Sequence, residues 1–488
     1  MSKHVVIVGS GNAALCAGVA ALEAGASVLM LEKADDSLAG GNTKYTAGAM
    51  RFSYDSSEDL IPLLRDPNDP QLATTDFGSY TKEQFSSDLL GFNGGRPLSD
   101  EQQMLVGRSG ETLNWLASHG VLFEPIYSRQ SFERDGRRVF WGGLTLAANN
   151  EGVGLFDMEL AAFRKLGGTI EYDAAVTGLI QEEGRIAGVM VGETEILADA
   201  VVLASGGFEA NDEMRIAHFG ANWAKAKVRG TPHNTGDGLS MALGAGAASN
   251  GLFDGCHATP MDLHMADFGG LHLPPGERKN YRKICYFLGV MLNANGQRFV
   301  DEGENFRNYT YAQFGRAILD QPGQFAWQIF DAKVFDLLYG EYTFHDAHFV
   351  EAETFDELLP QLKGVDTNAA AKTLAEYNDA VNDTPFDPTI LDGKAAEGLD
   401  LPKSNWAQRI DTGPFRAYPV TGGITFTYGG LKVSSGGAVL NDSGQAIEGL
   451  FACGELVGGV FYEGYPGGSG LTSGAVFGRA AGTSAAQS

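Results

Sequence analysis

Residues 4–33 read HVVIVGSGNAALCAGVAALEAGASVLMLEK, and no other stretch of the chain narrows its fold as far. An apolar strand, His4 to Val8, meets a glycine turn. An alanine-rich helix follows from Asn12 to Ala24, and a second strand, Ser27 to Leu31, ends at Glu32. This order predicts a βαβ unit with parallel strands. The turn carries Gly9-x-Gly11-x-x-Ala14. Gly9 makes the turn, Gly11 lets the backbone approach a pyrophosphate, and Ala14 permits close helix–strand packing. Glu32, at a strand end, can bond a ribose hydroxyl pair. Asn12 and Ala13 complete the loop and Lys33 follows the acid, so all three join the candidate cofactor-binding set. An acid at this place favours an unphosphorylated ribose, as in FAD or NAD.

The chain has 488 residues, too long for one ordinary core, so two domains are expected. A composition of 43% hydrophobic and 20% charged residues is globular and not disordered. The net charge of −26 leaves no basic stripe for phosphates, which argues against nucleic acid. An acidic small-molecule substrate therefore needs a local cationic pocket within a negative field. Cys16, Cys256, Cys285 and Cys453 form no CxxC, so neither zinc nor a dithiol redox motif is indicated and no metal site is expected. Buried thiols in a reducing cytosol fit them. Lys3 leads directly into the first strand, with no signal peptide and no apolar run of about 18 residues that could span a bilayer. Cytoplasmic placement is expected.

Helical periodicity follows near 101–119. Residues 167–208 then alternate as short strands, with EEGR as a turn and AVVLASGG returning as a buried strand. A parallel strand, a hairpin or meander and another parallel strand fit this stretch. From 256 to 415 aromatic, charged and proline-containing loops alternate with helical patterns such as 367–382. We read 1–255 as the first part of a nucleotide-binding domain, 256–415 as an inserted substrate or capping domain, and 416–488 as the rejoining part of the first. Glycine-bounded turns recur at or near strand ends: Gly40, Gly41, Asn42 and Thr43 in GGNT, Ala204, Ser205 and Gly206 in ASGG, Asp237 in TGDG, and Gly454 and Glu455 in CGELVGG. Together they suit one chain wrapping a long cofactor, FAD rather than NAD.

Near the C-terminus, YPGGSGLTSGAVFGRAAG opens a small-residue helix after a glycine loop, which adds Gly470, Leu471 and Thr472. A helix start of this kind presents N–H groups to an anion. The set GSGNAAL, GGNT, ASGGFEAN, TGDGLSMALGAGA, NANGQRFVDEG, CGELVGG and GGSGLTSGAVFGRAAG resembles the fumarate reductase/succinate dehydrogenase flavoprotein family, in order and over most of the chain. Within it, FVDEGENFRNYTYA, TFTYGGLKV and GELVGGVFYEGYPGGSG look most like the FAD-dependent tricarballylate dehydrogenase branch. YPGG is also similar to a loop of the ketosteroid Δ1-dehydrogenases. The resemblance implies an α/β FAD-binding Rossmann-like domain of the glutathione-reductase type with an inserted α+β capping domain. It implies noncovalent FAD, since GGNTKYTAG has no counterpart of the flavin-linked histidine. It also implies that Glu455 bonds the ribityl chain and that the C-terminal helix aims its N-terminus at the flavin pyrimidine.

The chemistry implied is removal of two hydrogens from a saturated C–C bond. One leaves as hydride to flavin N5, the other as a proton from carbon next to a carboxylate or ketone. The arginine that handles this proton in the family has its nearest counterpart in Arg307, five residues after Glu302 and one later than the family spacing. Arginine is a poor base, so Tyr309 or Tyr311 is an alternative. His257 in CHATP matches a family histidine. Thr425 stands where the family has a second histidine, and Tyr465 where it has a carboxylate-clamping arginine. Pro466 restricts Tyr465 to extended backbone. Two strong carboxylate holders are thus absent, and Tyr465 can serve a ketone.

Three readings follow. One is a tricarballylate-like dehydrogenase acting on a carboxylate substrate. The second is a desaturase of a cyclic ketone or keto acid, with tyrosines as acid and base. The third is a flavoprotein that only passes electrons. An NAD-dependent dehydrogenase is disfavoured by the single fingerprint, and a disulfide reductase by the missing cysteine pair. No haem CxxCH or iron–sulfur cysteine set is present, so the electron acceptor is external: oxygen, a quinone or a partner protein.

Overall fold

A computed structural model describes residues 2–488. The chain divides into two compact units. The first comprises residues up to Phe219, then Gly230–Cys256 and Phe426–Ser488. The second comprises Gly220–Arg229 and His257–Thr425.

The first unit is built on a six-stranded sheet in the order Ala438–Leu440, Ala446–Ala452, Ala200–Leu203, His4–Val8, Ser27–Leu31, Thr169–Glu171. The last five run parallel, and the edge strand Ala438–Leu440 pairs antiparallel. Val8 lies opposite both Leu203 and Leu31, which brings three strand ends to one level. Continuous apolar runs form these strands because both faces are covered: Val5, Val6, Ile7 and Val201, Val202, Leu203 are all fully buried. The stretch from 169 to 203 folds as read from the sequence. Thr169–Glu171 is parallel, Val176–Glu182, Arg185–Val191 and Thr194–Leu197 form an antiparallel meander, and Ala200–Leu203 rejoins the sheet. The first helix, Asn12–Glu23, packs against the C-terminal helix, Ser469–Gln487.

The second unit is α+β. Its long strand Phe415–Thr427, whose last two residues belong to the first unit, pairs antiparallel with Ala326–Asp331, and Val290–Asn293 pairs beyond that. Lys227–Val228 joins the same strand in parallel at Gly423–Ile424. Helices Arg307–Leu319 and Thr367–Ala380 belong to this unit. One apolar core joins Val290, Leu292 and Ile329 of the sheet to Leu374 and Tyr377 of the second helix. Composition alone draws the middle segment at 256–415. By contacts it ends at Thr425 and takes in Gly220–Arg229, because the long strand continues past 415 and pairs with residues almost two hundred positions earlier. Among the described residues, no helix is long and apolar enough to cross a membrane.

Candidate active site

The nucleotide motif is held open by backbone geometry. Gly9 has φ +106°, and a Cβ there would fall 2.5 Å from the Ala204 carbonyl oxygen. Only glycine fits, and the close approach sets Ala204 and Ser205 beside the motif. Gly11 ends the turn without a side-chain cap for the helix, and Thr43 Oγ1 lies against it, accepting from the Asn12 amide at 2.9 Å. Gly40 N donates to Ser10 Oγ at 3.0 Å, and Ser10 Oγ donates in turn to the buried Glu32 carboxylate. Glu32 also accepts from Ala34 N at 2.8 Å, so its carboxylate is fixed at the strand end. Ser205 Oγ is buried with no protein partner, an orphaned hydroxyl beside the motif. Lys33 and Asp237 meet as an ion pair at 2.8 Å.

The C-terminal helix starts next to this motif. Asn12 Nδ2 donates to the Leu471 carbonyl at 2.8 Å, and a Cβ on Gly454 would touch Ala13 Cβ at 2.8 Å. Gly468, in the left-handed region at φ +88°, caps the helix without a side chain. Two helix N-termini without side-chain caps therefore lie side by side, both suited to negative charge. Gly470 and the buried Thr472 belong to the first turn of the second.

Two carboxyls meet behind these loops. Glu455 Oε1 accepts from Thr427 N at 2.6 Å and Thr427 Oγ1 at 2.9 Å. Glu209 Oε1 accepts from the side-chain amides of Asn42 and Asn234, both at 2.6 Å. Glu209 and Glu455 lie close enough to shift each other's proton affinity. Two carboxyls so placed do not both ionise, so the pair retains a proton. Burial pushes Glu209 up, and burial followed by the charge of Glu209 pushes Glu455 well above the usual carboxylate range. Sequence reasoning missed Glu209 and Asn234; the only signal was the acid directly after ASGGF.

In the second unit the structure gathers His257, Thr425, Arg307 and Tyr311. Thr425 Oγ1 accepts from Arg229 Nε at 3.0 Å. His257 is fully buried and meets Tyr311 edge-on, with ring centroids 5.0 Å apart. Burial, then Arg229, then Arg282 drive His257 well below its ordinary value, so the imidazole is neutral. Arg282 is itself buried against Glu341 at 2.7 Å. Arg307 opens the helix Arg307–Leu319, with its guanidinium over the Tyr339 ring at 5.1 Å. Burial is the largest single influence and opposes its charge, but Tyr339, Cys285, Tyr286 and Tyr311 together outweigh it and hold its pKa above the ordinary value. Arg307 and Tyr311 are four residues apart and share a helix face. Tyr309 leaves the helix about 200° from Tyr311, on the far side. The structure thus brings Tyr311 to His257. Arg229 and Arg282 carry no motif, and sequence reasoning did not find them.

Tyr465 lies in the first unit. It is 7% exposed and wedged edge-on against Phe426 at 5.4 Å and Phe461 at 5.3 Å. A Cβ on Gly470 would come 4.0 Å from its ring, so Tyr465 stands at the start of the C-terminal helix. Among the described residues there is no group of three His, Cys, Asp or Glu side chains that could hold a metal ion.

A family profile described as FAD binding domain matches residues 4–471. The fumarate reductase (cytochrome) of Shewanella frigidimarina is 27% identical over 498 residues, covering 99% of this chain and 77% of that protein. The 4-oxocyclohexanecarboxylate 2-dehydrogenase of Sinomonas cyclohexanicum is 26% identical over 536 residues, covering 95% of this chain and 89% of that protein. The fold is shared with the crystal structure of 3-ketosteroid-Δ4-(5α)-dehydrogenase from Rhodococcus jostii: TM-score 0.72, 23% identity, 100% of this chain and 97% of that one.

Proposed function

This chain belongs to the FAD binding domain family, and from that premise we propose that it desaturates a C–C bond α,β to a carboxylate in a tricarballylate-like acid, with FAD held noncovalently. It is an FAD-dependent oxidoreductase acting on CH–CH groups. The residues fit the cofactor. The two uncapped helix starts suit the pyrophosphate and the electron-rich edge of the reduced ring. Glu32 suits a ribose, the orphaned Ser205 hydroxyl lacks a partner that a ligand would supply, and Glu455 suits the ribityl chain. When bound, FAD supplies the two-electron acceptor.

The observation that carries the reading is the set of buried Arg307 and buried His257 with the half-buried Tyr311. Arg307 keeps its proton at any ordinary pH, so it serves as a fixed cation beside the charge that develops when a proton leaves carbon. Neutral His257 donates or accepts one hydrogen bond at the activating oxygen. Tyr311 Oη, on the same helix face as Arg307, takes the proton as phenolate and becomes phenol, with the Arg307 cation beside the phenolate charge. A second reading rests on Tyr465, whose hydroxyl can donate to a ketone; the substrate is then a cyclic ketone or keto acid. The electron acceptor is external, and a role confined to electron passage is a third reading.

Anaerobic titration tests these readings. We expect tricarballylate or succinate to bleach the flavin absorbance. Bleaching only by a cyclic ketone or cyclic keto acid would sink the carboxylate reading and move the chemistry to Tyr465. No bleaching by any of the four would leave electron passage alone.

The Glu209–Glu455 pair predicts a pH effect. Its folded-state affinity for a proton exceeds that of an unfolded carboxyl, so the stability it contributes is present at low pH and is lost as pH rises through the folded value. Glu209→Gln supplies a permanently neutral partner. Thermal unfolding of the holoprotein from about pH 5 to about pH 9 should therefore fall less steeply in Glu209→Gln than in the parent protein. Parallel curves would contradict the shared proton.

A further inference from the structure

The second unit begins or ends at four internal points of the chain, Gly220, Arg229, His257 and Thr425. The last three are neighbours. Arg229 bonds Thr425, and its charge is the largest acting on His257. The chain leaves the first unit for only Gly220–Arg229 before returning. That excursion pairs Lys227–Val228 with the long strand and anchors Arg229 N on the Ile424 carbonyl at 2.8 Å. Immediately after it, Thr231 N donates to Asn42 Oδ1 at 2.9 Å, and Asn42 in turn holds Glu209. Two residues after Thr425, Thr427 holds Glu455. Arg229 and Thr425 are thus each two residues along the chain from Thr231 and Thr427.

Arg229 is 6% exposed, and its guanidinium is always charged. In a chain of net charge −26 it places a guanidinium beside the neutral His257, where Arg282 is already paired with Glu341, and so supplies the local positive charge that an acidic substrate requires. The Nε bond to Thr425 orients the planar guanidinium, a group that pairs with carboxylates in two-point fashion.

We propose that Arg229 is a substrate-binding residue that holds a carboxylate of the substrate, with Thr425 as its positioning residue and His257 as the adjacent neutral hydrogen-bonding group. This assignment rests on the carboxylate reading above. It supplies a clamp from a part of the sequence far from Tyr465, and it selects acids over uncharged ketones.

The test uses the FAD-loaded full chain and malonate as an unreactive probe, with binding measured by calorimetry and by perturbation of the flavin spectrum. Cyclohexanone serves as the uncharged probe. We expect Arg229→Gln to weaken malonate at least about 30-fold, Arg229→Lys to weaken it less, and cyclohexanone binding to change by less than about threefold. Malonate binding within about threefold of the parent in Arg229→Gln would overturn the assignment while leaving the carboxylate reading intact. Equal weakening of both probes would overturn it too, by pointing to a structural role. Failure of the parent holoprotein to bind malonate, together with no bleaching by any acid, would overturn both. If Arg229→Gln does not fold, Thr425→Val must weaken malonate about three- to tenfold, and no change there overturns the proposal.

Discussion

Gly482→Val is expected to lower folding stability by about 3 kcal/mol or more and to yield protein depleted in FAD. The first helix and the C-terminal helix meet through Gly474, Gly478 and Gly482, spaced four apart on one face. A Cβ on Gly478 would fall 2.4 Å from the Ala13 carbonyl oxygen, and one on Gly482 would fall 2.0 Å from that of Ala17. These obstacles are backbone, not the far end of a flexible side chain, so the helices must part. Glycine inside a helix costs about 1 kcal/mol relative to alanine, and three of them here are explained by that closeness. Parting the helices also separates the Asn12–Leu471 contact that sets the two N-termini side by side, which is why flavin loss should accompany the loss of stability. Denaturant unfolding and the flavin-to-protein ratio are the measurements. Gly107→Ala is the control: Gly107 lies in the helix Asp100–Ser118 with open space around its Cβ position, so its substitution should be neutral or stabilising by about 1 kcal/mol. A Gly482→Val protein as stable as the parent would mean that the helices slide at little cost.

The contrast between these glycines and the charged cluster explains which parts of the molecule could be read in advance. The strand–turn–helix of residues 4–31 is determined by contacts within thirty residues, and its periodicity is written locally. The same holds for the meander between 176 and 197. Arg229 and Arg282 acquire meaning only through pairing between distant segments, as when Lys227–Val228 meets Gly423–Ile424. No spacing rule connects such residues. Glu209 was hidden differently. ASGGFEAN reads as a glycine turn, and the acid matters only because Asn42, Asn234 and Glu455 converge on it from three other segments. Choosing Tyr311 over Tyr309 required the phase of one helix, which depends on its starting at Arg307. Pro466 limits the backbone of Tyr465, but nothing in the sequence foretells its aromatic neighbours Phe426 and Phe461.

Arg307→Met should lower kcat on a carboxylate substrate by about 10²–10³-fold while leaving KM within about threefold. A buried cation in the first turn of a helix opposes the macrodipole, at a cost of about 0.3–1 kcal/mol, so its position is not one that stability alone selects. Removing it should therefore not destabilise the fold greatly, and the melting temperature is the control. Because the guanidinium stays charged across the accessible range, raising the pH should not rescue the variant, as it would if Arg307 acted by losing a proton. Arg307→Lys should recover little, since an ammonium neither spreads its charge nor stacks on Tyr339 as the guanidinium does. Tyr311→Phe should cost about 10²-fold in kcat if its hydroxyl carries the proton, whereas Tyr309→Phe should cost less than about threefold. The pair separates two arrangements of the same helix. A large loss in Tyr309→Phe with a normal Tyr311→Phe would move the proton to the opposite helix face, away from His257, and would dissolve the grouping on which the carboxylate reading stands.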